Sequence, residues 1–164
     1  MLPELEPIVG GLAENRVLLA EVFGPLSEEE LNSKPRPGAY SGRETLAHLA
    51  GAERGMTQLA RRMAAGENPR LKEGYNNDYY NARQQEKRAG LTSDQLVAEL
   101  DEARRELLSF MGSLGPGDLA KPGQHPVTGD TDVLGVLQII RTHERDHIKE
   151  FQAWSAEMKG SQGP

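Results

Sequence analysis

Apolar residues recur at helical spacing through most of the chain, and almost nowhere do they alternate as a half-buried strand requires. Leu5, Ile8, Leu12, Leu19, Val22 and Phe23 trace one face and Pro25 stops it, which predicts a first long helix. Ser27 and Glu30 form a capping box for one short turn, and Lys34-Pro35-Arg36-Pro37-Gly38 then rules out any helix. A second long helix opens on Ser41, with Glu44 three residues on to complete the cap, and carries Leu46, Leu49, Ala52, Met56, Leu59, Ala60 and Met63 on one face. A polar, tyrosine-rich link follows, with a short charged helix expected from Asp78 to Arg88. Thr92 and Gln95 cap the cleanest seam, Leu96, Leu100, Ala103, Leu107, Phe110 and Leu114, at alternating steps of four and three. Gly115-Pro116-Gly117 ends it, and Pro122, Gly123 and Pro126 mark the segment to Gly129 as a long crossover loop. Thr131 or Asp130 then caps a last helix with Val133, Val136, Leu137, Ile140, Phe151 and Trp154 on one side.

Four long amphipathic helices without a strand pattern predict an all-α fold, a four-helix bundle with a long crossover connection. Its 164 residues suit one domain, placed at 1–158 with a disordered tail at 159–164. The opening residues lack the basic and apolar runs of a signal peptide, and no stretch approaches the roughly 20 apolar residues of a membrane span. A cytoplasmic protein with no membrane partner is the expectation. A net charge of −6, from 25 acidic and 19 basic residues, argues against a nucleic-acid surface. With no cysteine, any transition-metal site must be built from histidine and carboxylate.

That restriction turns attention to His143-Glu144-Arg145-Asp146-His147, which reads H-E-x-x-H. Two imidazoles at i and i+4 share one helix face and can grip one ion. The string is also a zinc-protease motif, but its surroundings do not follow. The metzincin form needs Gly and His where this chain has Glu150 and Ala153. Glu150 is too close on the same helix to serve as a third protein ligand, Glu157 falls in the fraying end, and no strand is expected to hold a peptide. Both histidines point into the apolar face of the last helix, and His48 flanks the apolar stripe of the second long helix. A set of His48, His143 and His147 would supply three neutral nitrogen ligands with open positions for water or substrate.

Tyr40-Ser41 opening a helix, Leu46-Ala47-His48-Leu49 with Glu53 beyond, the Asn76-Asn77 segment, the Leu91-Thr92 start, the Leu107 to Leu114 end before Gly117-Asp118-Leu119, and His143-x-x-x-His147 occur in an order similar to the DinB-like, or YfiT-like, superfamily of metal-dependent four-helix bundles. The resemblance covers nearly the whole chain. It implies a bundle with a long crossover, a divalent metal held by three ligands and often a homodimer. Its members include thiol-dependent isomerases and transferases, and this chain matches the three-histidine branch. Two positions depart from the usual pattern: Tyr40, where Trp is common, and Glu144, where an aromatic is usual. Neither departure removes a ligand.

Other residues carry two readings each. Glu144 falls within the apolar arc of its helix, either as a general base or in a salt bridge to an Arg of a neighbouring helix. Glu53 and Glu150 are candidates to hydrogen-bond a ligating imidazole from behind, with a plain ion pair as the alternative for Glu53. Asn76, Asn77 and Tyr79 are candidate substrate contacts or ordinary turn residues. His125, in a Gly-Pro loop, is expected at the surface. The function these residues suggest is a metal-dependent hydrolase or thiol transferase or isomerase acting on a small molecule, with zinc or nickel ahead of iron and a low-molecular-weight thiol as a candidate cosubstrate. A non-catalytic metal-binding stress or interaction module is the alternative.

Overall fold

The computed structural model describes residues 1–161. Its helices are α1 (Glu6–Phe23), α2 (Glu28–Asn32), α3 (Gly42–Ala64), α4 (Asn77–Lys87), α5 (Ser93–Ser113) and α6 (Val133–Ser161). The long members α1, α3, α5 and α6 form the bundle. α1 packs on α6, α6 on α3, and α3 on α5. The ring closes through side chains, because Arg104 of α5 donates to the Leu12 carbonyl and Arg16 of α1 donates to the Leu100 carbonyl, each at 2.8 Å.

The helix starts follow local chemistry. Ser27, Ser41 and Thr92 each accept a hydrogen bond from the third helical amide, and Glu30, Glu44 and Gln95 reach back to the capping residue's amide. Asn76 caps α4 by accepting from the Tyr79 amide at 2.9 Å. The start of α6 differs from expectation: Asp132, not Thr131 or Asp130, takes the Gly135 amide at 2.8 Å. The helix is also longer than expected and runs through Lys159 to Ser161, so the first part of the expected tail is helical. Residues 162–164 lie outside the described residues.

The crossover is not all loop. Pro122–His125 (β1) and Gly129–Asp132 (β2) pair antiparallel, with Pro122 opposite Asp132 and His125 opposite Gly129. Neither strand shows apolar alternation, so no pattern announced them. What holds the hairpin is contact with the bundle. A Cβ at Gly123 would lie 2.7 Å from the Met63 sulfur, so only glycine lets β1 sit this close to α3. Gln124 donates its backbone N–H to the Pro69 carbonyl and accepts the Leu71 amide on its side chain, both at 2.9 Å.

The interior is divided into two apolar clusters. One gathers Leu5, Ile8, Leu12, Met63, Leu107, Leu137 and Ile140, and the other Leu19, Phe23, Leu46, Leu96, Leu100 and Ile148. Burying each such side chain contributes about 1.5–3 kcal/mol. Between the clusters the bundle has a polar waist of buried Asn15, Glu53, Arg104 and Glu144, one residue from each long helix. Among the described residues no helix is long and apolar enough to cross a membrane.

Candidate metal centre

His48 enters from the first half of α3, and His143 and His147 from the middle of α6, one turn apart. α3 packs on α6, and the three rings meet with centroids 4.5 to 5.0 Å apart. Nε2 of His48 lies 3.1 Å from Nε2 of His143. One nitrogen from each ring falls within 4.8 Å of the others, and among the described residues no other set of His, Asp or Glu side chains converges in this way.

Burial sets the charge state of these rings. Loss of water, reinforced by His147, pushes His48 down to about 4, and the same cause with both neighbours pushes His143 down to about 3. His147 is also lowered by burial, partly opposed by Glu150. All three imidazoles are therefore neutral at neutral pH, the form that binds metals. Two unprotonated nitrogens 3.1 Å apart repel each other unless a proton or cation lies between them. The arrangement suits a shared ion, since neighbouring nitrogens around a tetrahedral zinc are roughly 3.3 Å apart when each bond is about 2.0–2.1 Å. Zinc, nickel and iron all accept imidazole.

The three rings form one wall of a cavity of about 430 Å³. Ala52, Gly55 and Met56 continue that wall along α3, and Asn77, Tyr80 and Asn81 of α4 face it. Val127, 73 % exposed, stands at the mouth and connects the cavity to solvent. A Cβ at Gly55 would lie 2.8 Å from the Tyr80 hydroxyl, so this glycine makes room for Tyr80 to line the site. Tyr40 packs on His48 with ring centroids 5.6 Å apart. A second cavity of about 470 Å³ lies against Leu19, Phe23, Leu31 and Leu46, but among the described residues no group of metal-ligating side chains converges there.

Several expected roles change. The Glu144 carboxylate does not line the cavity. It is buried in the waist, where Arg104 donates to it at 2.7 Å and Asn15 at 3.1 Å, and Arg16 lies 3.2 Å away. Glu144 thus forms salt bridges to arginines of neighbouring helices, with Oε2 taking both hydrogen bonds and Oε1 accepting none, and a carboxylate placed off the cavity lends the general-base reading no geometric support. Glu53 is likewise turned from the histidines: both its oxygens accept from Arg104, at 2.8 and 3.1 Å, so it is an ion-pair partner and not a support for an imidazole. Glu150 does approach a ring, with its Oε2 3.5 Å from Nδ1 of His147. Of the three link residues, Asn77 lines the cavity, Asn76 is a helix cap, and Tyr79 is 67 % exposed away from it. His125, expected at the surface, is buried and lines the cavity.

Tyr80, Asn81 and His125 were not singled out as site residues by sequence. A signal for His125 exists: a three-residue connection, Pro126-Val127-Thr128, ending in Gly129 at φ +79° is hairpin chemistry. Gly55 within the α3 stripe was the corresponding signal for a bulky neighbour at that point.

The sequence profile of the DinB superfamily matches residues 12–151. Among solved structures, YfiT from Bacillus subtilis, described as a probable metal-dependent hydrolase with an unusual four-helix bundle topology, superposes with a TM-score of 0.79 at 17 % identity, over 97 % of this chain and 90 % of that one. TT2238, described as a four-helix bundle protein, gives a TM-score of 0.68 at 24 % identity over 90 % and 98 % of the two chains. An uncharacterised protein from Escherichia coli gives 0.68 at 13 % identity over 92 % and 91 %. No curated protein matches the sequence significantly.

Proposed function

Because this chain belongs to the DinB superfamily, we propose that His48, His143 and His147 hold one divalent metal ion, zinc or nickel ahead of iron, and that the protein is a metal-dependent enzyme acting on a small molecule. The observation that carries the reading is the convergence of three neutral imidazole nitrogens within 4.8 Å on the wall of a solvent-connected cavity. When bound, such an ion supplies Lewis acidity, polarising an oxygen acceptor and making a nucleophile available at neutral pH. Hydrolysis is the reaction this favours, in line with the description of YfiT. A small thiol in place of water would use the same residues.

The chain's own groups provide the rest. Burial holds the rings neutral, the Tyr40 ring packs against that of His48, and Glu150 stands beside Nδ1 of His147 to orient its ring. Asn77 and Asn81 offer amides and Tyr80 a hydroxyl to a substrate, while Ala52 and Met56 give it apolar surface. A cavity of about 430 Å³ fits a small molecule and favours catalysis over sequestration, since a sequestering site needs no room beside the ion.

Elemental analysis of untagged protein, beside His48→Ala and His147→Ala variants, tests the reading. One equivalent of zinc or nickel is expected in the parent and little in either variant. Variants that keep the parent's metal would overturn it. Activated esters assayed with and without added small thiols then separate hydrolysis from thiol transfer.

A further inference from the structure

The metal-centre reading leaves one lining side chain of the cavity without a task. His125 ends β1 and is 8 % exposed, so its ring lies almost wholly within the protein. Its Nδ1 accepts from the backbone N–H groups of Val127 and Thr128, both at 3.3 Å, and lies 3.2 Å from the Thr128 hydroxyl. Backbone amides can only donate, so Nδ1 must present a lone pair. The proton of the neutral ring is thereby assigned to Nε2. Among the described residues no protein group accepts from Nε2, and Nε2 is not one of the polar atoms sealed from solvent without a partner. It opens to the cavity that the ring lines.

The support behind the ring is rigid. Gly123 is pressed against Met63, Gln124 is bonded to Pro69 and Leu71, and the turn closes through Gly129 at positive φ. Burial also lowers the His125 pKa, which keeps the ring in its neutral, single-donor form. The other polar residues that line the cavity outside the histidine cluster, Tyr40, Asn77, Tyr80 and Asn81, are uncharged at neutral pH, and among the described residues no Asp, Glu, Lys or Arg lines it. The fixed charge a substrate would meet there is that of an ion held by the three histidines, which attracts an oxygen acceptor.

We propose that His125 is a substrate-binding residue whose Nε2–H donates a hydrogen bond to a carbonyl oxygen, such as that of an amide or ester, of a molecule held between the β-hairpin and the three-histidine wall. The proposal rests on the functional reading of that cavity and adds the substrate class and a donor on the wall built by the crossover. Aimed at a carbonyl oxygen, a preorganised neutral donor costs no reorganisation as negative charge develops there. Its partner on Nδ1 is a pair of backbone amides rather than a carboxylate, so the ring is built to donate and not to accept a proton.

The test uses the full chain with zinc added and benzamide as the probe. Nitrogen NMR of histidine-labelled protein should show His125 as one tautomer, protonated at Nε2, whose signal moves when benzamide binds. His125→Leu should weaken benzamide binding roughly threefold to tenfold, the scale of one hydrogen bond, while His125→Gln, whose amide nitrogen can stand near Nε2, should restore most of it. A proton on Nδ1, an Nε2 signal that benzamide does not move, or undiminished binding in His125→Leu would each overturn the proposal. Zinc content measured on the same samples reports the metal reading separately, so failure of that reading is told apart from failure of this one.

Discussion

Arg104 Nη2 donates to Glu144 Oε2 at 2.7 Å, joining α5 to α6 between two residues that are each almost wholly buried. The same guanidinium holds both oxygens of Glu53 on α3 and the Leu12 carbonyl on α1, so one side chain ties all four long helices at the waist. Two arginines, Arg16 and Arg104, face two glutamates, Glu53 and Glu144, and the formal charges cancel. A buried pair of this kind adds little over a well-packed apolar contact, but removing one partner strands the other.

Arg104→Leu should therefore destabilise the protein by about 3–5 kcal/mol, because Glu53 and Glu144 lose their main donor without gaining water. Urea unfolding of the variant beside the parent measures this. A loss below about 1 kcal/mol, the range of a surface ion pair, would show that the waist is not held by this residue.

Glu144→Gln separates the two readings of that residue. With Oε2 accepting from Arg104 and Asn15 and Oε1 in ion contact with Arg16, the variant should lose about 1–3 kcal/mol of stability. Metal content, and turnover per bound metal, should stay at the parent's level. Full stability with turnover abolished would reinstate Glu144 as a general base.

Metal-free protein should lose stability as the pH falls below neutrality. Unfolded histidines take up protons near 6.5, whereas in the folded protein burial holds His48 to about 4 and His143 to about 3. Through that window the unfolded state binds more protons, so acid favours unfolding and the stabilisation is complete only above 6.5. Thermal melts of chelator-treated protein between about pH 8 and about pH 5 should show a falling midpoint. His48→Leu, which cannot take a proton in either state, should show a shallower fall.

Gly123→Ala should cost about 1–3 kcal/mol. The new methyl would lie 2.6 to 3.0 Å from three atoms of the Met63 side chain, which is itself fully buried and would have to shift within the core. Chemical unfolding gives the cost. Because β1 carries His125 two residues on, benzamide affinity should fall as well, and unchanged stability and affinity together would show that the hairpin is free to shift.

What could be read early and what could not divide along the range of the forces involved. Ser41 and Glu44, or Thr92 and Gln95, cap helices through bonds three residues long, and the heptad-like seam from Leu96 to Leu114 needs only a helical period. The same period puts His143 and His147 one turn apart on the inward face of α6. The crossover hairpin has no such period: Pro122–His125 and Gly129–Asp132 become strands through each other and through the bundle surface beneath them. His125 looked exposed for that reason.

By itself the sequence determined the helices, the bundle class and the inward direction of three histidines, because each follows from capping chemistry or periodicity within a few turns. Tertiary structure alone decided the partners of the charged residues and the far wall of the cavity. Glu144 sits within the apolar arc of α6 on either reading, and its role depends on which side chains arrive from α1 and α5. Arg16 and Arg104 arrive, and they take the carboxylate into the waist, while the crossover brings His125 to the cavity. Ion pairing and hydrogen bonding in a low-dielectric interior are set by distances of about 3 Å between groups far apart in the chain, and no local pattern encodes those.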